Sequence, residues 1–553
     1  MILKIVLFLL LLASPAMGAT LYVRSGGSGG CTTSWSNACG QLTTAISAAS
    51  RGDTIFVATG SYTTPTFDKA ASGSLTITIK KAVPTGTVTA DYPSGMTAAQ
   101  AHGTDTGWNS SYGEGQATIG GTLTFVSGYW VLDGQKRNES DWSSLSAYGF
   151  SIAGVYENSF NTAVGDNITL RHMNIGPDDG TSNQEGYGGA VIYIGGFTDI
   201  AQNWTVERNY IHNGRTMVQH AGVHNMLYQY NLFAKNWEKT GIRHQIRGSS
   251  VVIRYNIFKN TCQGNYEYDP GSGGCTAIIG WYGNAGSNNE DYSYSKVYGN
   301  VFWDSIKTKT YSDACIFMGD DRTSQGGGPQ NCTGCAAYNN TFVGMAYGVC
   351  TLSFLGIKTA SEARNNIWYD VQASTGCTAA TCSNNYVVGN VFVNTSVGNF
   401  HLTSDGVAGT GHTLSSPYNI DMDGTTRGWS GVWDVGAYEY PPGGGDTTAP
   451  VITITSPTSN PTYTTPSPSI TLQGTASDAV GVTSVTYNNA QGGSGSCTGT
   501  TSWTCSSIVL NFGSNAITVT AYDAATNSGT DVITVTFAAT VQGLTISSGG
   551  KMQ

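Results

Sequence analysis

The chain has 553 residues, a formal net charge of −10, 73 glycines and only 11% charged residues, less than half the usual share. Too few Glu and Lys are present for coiled coils or long helices, and the acidic balance excludes the basic footprint that wrapping nucleic acid requires. Aromatic residues reach 11%, with 30 Tyr and 12 Trp, which excludes a disordered chain and leaves a Gly-, Ser-, Thr- and Asn-rich all-β protein.

Lys4 precedes the apolar run Ile5 to Leu12, and Ala16-Met17-Gly18 places small residues at a cleavage site, so residues 1–18 read as a secretory signal peptide. The run is too short to span a membrane, and no later stretch is apolar for long enough, so no membrane span and a secreted or cell-surface location are expected. All 12 Cys follow the signal, an even number that reads as disulfides in an oxidising compartment. Cys31/Cys39, Cys262/Cys275, Cys377/Cys382 and Cys497/Cys505 are close enough to staple local loops. Cys332-Thr333-Gly334-Cys335 has no second C-x-x-C to complete a zinc site and reads as another staple. Cys315 and Cys350 occupy corresponding strands, as a disulfide or a thiol ladder.

Leu42 to Ala49 is amphipathic, a short helix closing one end of the core, and Gly52 to Val57 starts a strand. Further on, an Asn followed two residues later by a large apolar side chain recurs. It appears as Asn209-Tyr210-Ile211, Asn231-Leu232-Phe233, Asn256-Ile257-Phe258, Asn300-Val301-Phe302, Asn340-Thr341-Phe342, Asn366-Ile367-Trp368 and Asn390-Val391-Phe392. The spacings are 22, 25, 44, 40, 26 and 24 residues. A basal period near 24 is one turn of a parallel β-solenoid, and the two long intervals are coils carrying extra loops near 262–275, 283–294 and 319–334. Coils stack about 4.8 Å apart, so an inward Asn at a tight turn can bond the coils above and below while its apolar neighbour fills the core. Pro441-Pro442-Gly443-Gly444-Gly445 opens a linker over 441–449. Alternating runs such as Val451 to Ile454, Ser469 to Leu472 and Val482 to Tyr487 then predict a small β-sandwich over 450–538, before a tail at 539–553.

Tyr22-Val23, Leu42 to Ile46 and Gly52 to Thr63 resemble the opening of secreted bacterial β-helix proteins of the pectin-lyase-like superfamily. Asn399 to Leu402, Asp421 to Gly424, Arg427 and Asp434 to Tyr440 are similar to their terminal segment. The resemblance implies a right-handed parallel β-helix over 19–440, in a superfamily that includes lyases, hydrolases, epimerases, adhesins and inert scaffolds. Gly474 to Asp478 with Ala521 to Ala525 resembles bacterial Ig-like modules, which are usually spacers.

A solenoid has no deep pocket, so chemistry would sit in a groove between a sheet face and protruding loops. That shape suits an extracellular polysaccharide bound by a monomer. The richest stretch is 212–254, with His212, Arg215, His220, His224, Lys235, Lys239, Arg243, His244, Arg247 and Arg254 in a chain poor in cations. An anionic glycan fits such a patch. β-Elimination needs a cation on the C6 carboxylate, a base for the C5 proton and an acid for the leaving oxygen. Gly241-Ile242-Arg243-His244 resembles the Arg-His segment of the alginate lyase and chondroitinase B family, which implies Arg243 at a catalytic centre. The lysine base of that family falls on the preceding coil, where this chain has Gln219 or His220. The catalytic candidates are thus Arg243, with His220 or His244 as proton acceptor, and Lys239. Arg215, Arg247, Trp281 and Tyr282 are candidates for binding sugar. If Ile242 points inward, however, so does His244, and the two histidines also fit a buried polar ladder. Asp178-Asp179 and Asp320-Asp321 are the Asp pairs before the linker; both fit turn caps, and calcium (Ca2+) is the second reading for either, with Asp320 and Asp321 the metal candidates. The competing class is a non-catalytic carbohydrate-binding or adhesive surface protein.

Overall fold

The computed structural model describes residues 18–538 apart from 140, 154–159, 162–164, 177–189, 196–199, 215, 235–239, 245–247, 262–276, 282–290, 305–314, 319–330, 346–348, 372–373, 405–409, 430, 432, 441–448, 479–480 and 524–526. Up to residue 388 most of the strands coil into three long parallel sheets, of twelve, eleven and eight strands, after which Phe392–Asn394 and Asn399–Leu402 form an antiparallel pair. The fold is a right-handed parallel β-helix. From Phe160 on, each coil runs through the eight-stranded sheet, then the twelve-stranded one, then the eleven-stranded one. Thr216–His220, Leu227–Gln229 and Leu232–Ala234 make one such coil.

The corner between the twelve- and eleven-stranded sheets is the most regular part of the molecule. From Arg208 to Asn385 it is always two residues, the first in the left-handed region and the second an inward, buried or half-buried Asn. Asn209 N donates to Asn231 Oδ1 (3.0 Å), and the same bond repeats from 231 to 256, 256 to 300, 300 to 340, 340 to 366 and 366 to 385 at 2.9–3.1 Å. Each amide also donates back to the coil behind it, as Asn256 Nδ2 does to Tyr228 O at 2.9 Å. Every buried polar atom of this column is therefore paired. The last rung departs from the expectation: it is Asn385, 19 residues after Asn366, whereas Asn390 lies beyond the column and accepts Phe392 N. Inside this column the apolar residues stack: Phe233, Phe258, Phe302, Phe342 and Trp368 follow one another at ring-centroid distances of 4.7, 4.9, 4.7 and 5.3 Å.

The amino-terminal helix, Leu42–Ala48, buries Leu42, Ala45 and Ile46 against the first coils. Coils without the Asn signal precede residue 209; Trp130–Asp133 pairs with Ile168–Arg171, and Phe150–Ala153 with Met173–Ile175. At the other end the segment to Tyr440 folds back over the Asn corner. There Tyr255 Oη donates to Ile420 O (3.0 Å), Asn339 Nδ2 to Tyr418 O (3.3 Å) and Asn365 Nδ2 to His412 O (2.8 Å). Buried Arg427 ties this segment together through Gly436 O (2.8 Å) and Ala437 O (2.9 Å), with Glu439 3.6 Å away.

Cys31–Cys39, Cys315–Cys350, Cys332–Cys335, Cys377–Cys382 and Cys497–Cys505 form disulfides; Cys262 and Cys275 lie outside the described residues. Beyond the linker, a three-stranded and a five-stranded sheet share one core that includes Leu472, Val485, Trp503, Ile517 and Val535, which makes a β-sandwich. Among the described residues no helix is long and apolar enough to cross a membrane.

Candidate functional site

The irregular length of the coils is spent on the eight-stranded sheet. Residues 235–239, 262–276 and 305–314 lead into its strands, and 245–247, 282–290 and 319–330 lead away from them. Every long insertion of the central coils thus falls, in sequence, on a connection into or out of this sheet, while the Asn corner carries none.

Register places the sequence candidates on this sheet. Tyr193, Gln219, Arg243, Gly280, Phe317 and Ser353 align across successive coils in one row, and Ile194, His220, His244 and Trp281 align in the neighbouring one. Side chains alternate between faces along a strand. The inward row is marked by Ile194, His220 and Trp281, all fully buried, and the outward row by half-buried Tyr193, Gln219 and Ser353. Arg243 therefore holds an outward register position, and His244 an inward one.

Two candidates are corrected by this geometry. His220 lies inside the coil, with its Nε2 2.5 Å from Tyr228 Oη, and burial pushes its imidazole down to about 3. A ring sealed from solvent and held neutral cannot take a proton from a chain lying outside the sheet. Trp281 is a core residue rather than a loop-edge platform for a sugar ring. The linear cationic stretch also disperses. His212 is buried, its Nε2 2.5 Å from Asn174 Oδ1; His224 Nδ1 lies 2.6 Å from Ser249 Oγ; and Arg254 faces out on the twelve-stranded sheet. Lys239, Arg215, Arg247, Tyr282, Asp320 and Asp321, like Asp178-Asp179, lie outside the described residues. Among the described residues no group of three or more His, Cys, Asp or Glu side chains is placed to hold a metal ion.

The sequence reading missed a second surface. Along the outer face of the twelve-stranded sheet, Lys80, Asp133, Arg171, Glu207, Gln229, Arg254, Tyr298, Tyr338 and Arg364 stand in register on consecutive coils. Most of them satisfy one another: Arg171 pairs with Asp133 (2.8 Å), Gln229 donates to Glu207 (2.6 Å), and Arg254 donates to Gln229 (2.8 Å) and Tyr298 Oη (2.9 Å). Burial alone would raise Asp133, but the hydrogen bond and charge of His172, the Arg171 guanidinium and Gln135 N hold it well below the usual carboxylate range. Coil lengths in this region vary too widely for a sequence period to have exposed the ladder.

No curated protein matches the sequence. Residues 450–539, the sandwich, match the family described as glucodextranase, domain B. Among solved structures the chain is similar to pectate lyase Pel9A at 15% identity and a TM-score of 0.42, over 76% of this chain and 96% of that one. An alginate lyase from Paenibacillus sp. str. FPU-7 follows at 11% identity and 0.34, over 66% and 99%. The PL6 family alginate lyase AlyGC stands at 13% and 0.29, over 68% and 52%.

Proposed function

We propose that the protein is exported and acts on acidic extracellular polysaccharide, bound along the outer face of the eight-stranded sheet. The observation that carries this reading is the coincidence of Arg243, at an outward register position, with the sheet whose connections hold all the long insertions of the central coils. The outer face of a parallel sheet accepts an extended chain from end to end, and a guanidinium on it pairs with a carboxylate in a bidentate way. In the lyase form of this reading, Arg243 neutralises the C6 carboxylate of a uronate and so acidifies the C5 proton. A base takes that proton, the electron pair forms the C4–C5 double bond, and the C4–O bond breaks as its oxygen is protonated. Lys239, one residue before the Thr240–His244 strand, is the base candidate once His220 is removed from the list. The sandwich serves as an appended spacer of the Ig-like kind.

A second reading is favoured by one observation, the burial of His220: the strip binds glycan without cleaving it. Incubation of the mature protein with pectate, alginate and glycosaminoglycans, followed by ultraviolet absorbance of unsaturated ends, separates the two. A rise on one substrate, abolished by Arg243→Ala, supports the lyase. Retained binding with no rise on any of them leaves the binding protein, and absence of both binding and cleavage ends the polysaccharide reading.

A further inference from the structure

The two ends of the coil are finished differently. At the amino-terminal end the helix Leu42–Ala48 lies over the first coils and buries Leu42, Ala45 and Ile46. At the other end Ser374–Cys377, Thr381–Ser383 and Tyr386–Val388 are the outermost strands of the eight-, twelve- and eleven-stranded sheets, and each pairs only with the coil before it. The inward row shows the consequence. Val387 takes the place after Phe342 and Trp368 in the core stack, yet it is 65% exposed, whereas Trp368 is 2% exposed. Cys382, the register partner of fully buried Ala363, is exposed as well, although it is bonded to Cys377. The chain that follows does not close this end. Phe392–Asn394 and Asn399–Leu402 turn back along the outer face of the eleven-stranded sheet, where Phe392 meets Tyr369 and Phe400 meets Trp303 at ring-centroid distances of 5.7 and 5.3 Å.

An open strand edge pairs with any strand that reaches it, and proteins ordinarily block such edges with charges, proline or a covering element. Here charge and proline are both missing: between Asp370 and Asp405 the sequence has no Asp, Glu, Lys, Arg or Pro. The cations of the coil before are tied to its flank, Lys358 to Thr378 O, and Arg364 to Glu362 (3.1 Å) and Ser383 Oγ (2.9 Å). A surface without charge is one that a second copy of itself meets without repulsion. A twofold axis across the end reverses the partner's strands, so the edges meet antiparallel, in ordinary sheet geometry. The last coil, 371–390, supplies 20 residues, within the roughly 20–30 a side that stable interfaces use.

We propose that the open end binds a second copy of this chain, end to end, giving a dimer in place of the monomer expected from the sequence. The three edge strands continue across the twofold axis into those of the partner, and Val387 and Cys382 become core. Because the helix Leu42–Ala48 closes the other end, assembly stops at two copies.

Sedimentation velocity of the mature full chain, over about a hundredfold range of concentration, compares wild type with Val387→Lys. The wild type is expected to be a dimer that dissociates on dilution. Val387→Lys places an ammonium in the new core and should raise the dissociation constant by about a hundredfold, with a Tm equal to that of the diluted wild type. Hydrogen exchange of Thr381–Ser383 and Tyr386–Val388 should slow as the wild type is concentrated. A wild type that stays monomeric overturns the proposal, and slow exchange of these strands in such a monomer assigns the end to the sandwich of the same chain. A dimer that Val387→Lys leaves intact overturns it by placing the interface elsewhere. Growth beyond two copies overturns it by contradicting the closed amino-terminal end. Thr381→Lys, on another edge strand, replaces Val387→Lys if that variant unfolds.

Discussion

The corner that carries the Asn column and the two corners that border the eight-stranded sheet obey opposite rules. At the Asn corner the turn is two residues in every central coil, its backbone groups are bonded by the column, and the next coil is fixed in register. At the other two corners the chain runs from a few residues to well over ten, and the sheet between them carries a mixed outer row of Tyr193, Gln219, Arg243, Gly280, Phe317 and Ser353. Regularity on one side is what makes irregularity affordable on the other: once one corner sets the stacking, long loops cost little more than their closure entropy. The lesson is that the register is fixed at one edge of the coil, while the proposed site lies on the opposite one.

Substitutions should separate these edges. The largest effect is expected for Asn256→Ala, which strips the acceptor from Asn231 N (2.9 Å) and the donor to Tyr228 O (2.9 Å) in a buried column. A loss of roughly 4 kcal/mol, read as a drop in the denaturant midpoint, is predicted. Phe258→Ala, in the middle of the aromatic stack, should cost roughly 3 kcal/mol by the same measurement. Next comes a pH effect from the strand that bears His220. Its folded value of about 3 lies below the ordinary 6.5, so the stability from keeping it neutral is complete above pH 6.5 and is lost as pH falls toward 3. On the order of 2 kcal/mol should be gone by pH 5, and His220→Gln should flatten that part of the Tm profile. Glu439, in the closing segment, has the opposite sign. Burial raises it from 4.5 to about 7, so its contribution is complete below pH 4.5 and is lost as pH rises through 7; Glu439→Gln should remove that decline. The smallest effect belongs to Ser353→Ala in the outer row, expected within about 0.5 kcal/mol of wild type. A large loss there would erase the distinction between the two edges.

Much of this division is written in the sequence, because one residue type has one job in the column. Seven Asn at a broken period were enough to recognise a solenoid, and an amphipathic run sufficed for the cap. The final rung was misassigned to Asn390 because Asn385 sits in a pair, Asn384-Asn385, where the first residue takes the left-handed turn and the second the column. Coils before residue 209 gave no repeat to count, and only the resemblance of residues 22–63 announced them, because their corners use other residues, such as His172, and leave no repeated letter. The site was less legible than the fold. Proximity along the chain gathered His212, His220, Arg243 and Arg254 into one patch, but a coil sends neighbours to the core, to one sheet and to another within a dozen residues. The ladder from Lys80 to Arg364 arises from register across coils of unequal length, which only the assembled helix reveals.

The account turns on Arg243 and the loop-bordered sheet. Its most direct test is a binding titration of the wild type and Arg243→Ala with whichever acidic polysaccharide the wild type retains best, alongside a Tm for each. The prediction is an affinity lower by about tenfold in the variant, with Tm unchanged. Equal affinity in the two proteins would contradict it and move the function away from this sheet.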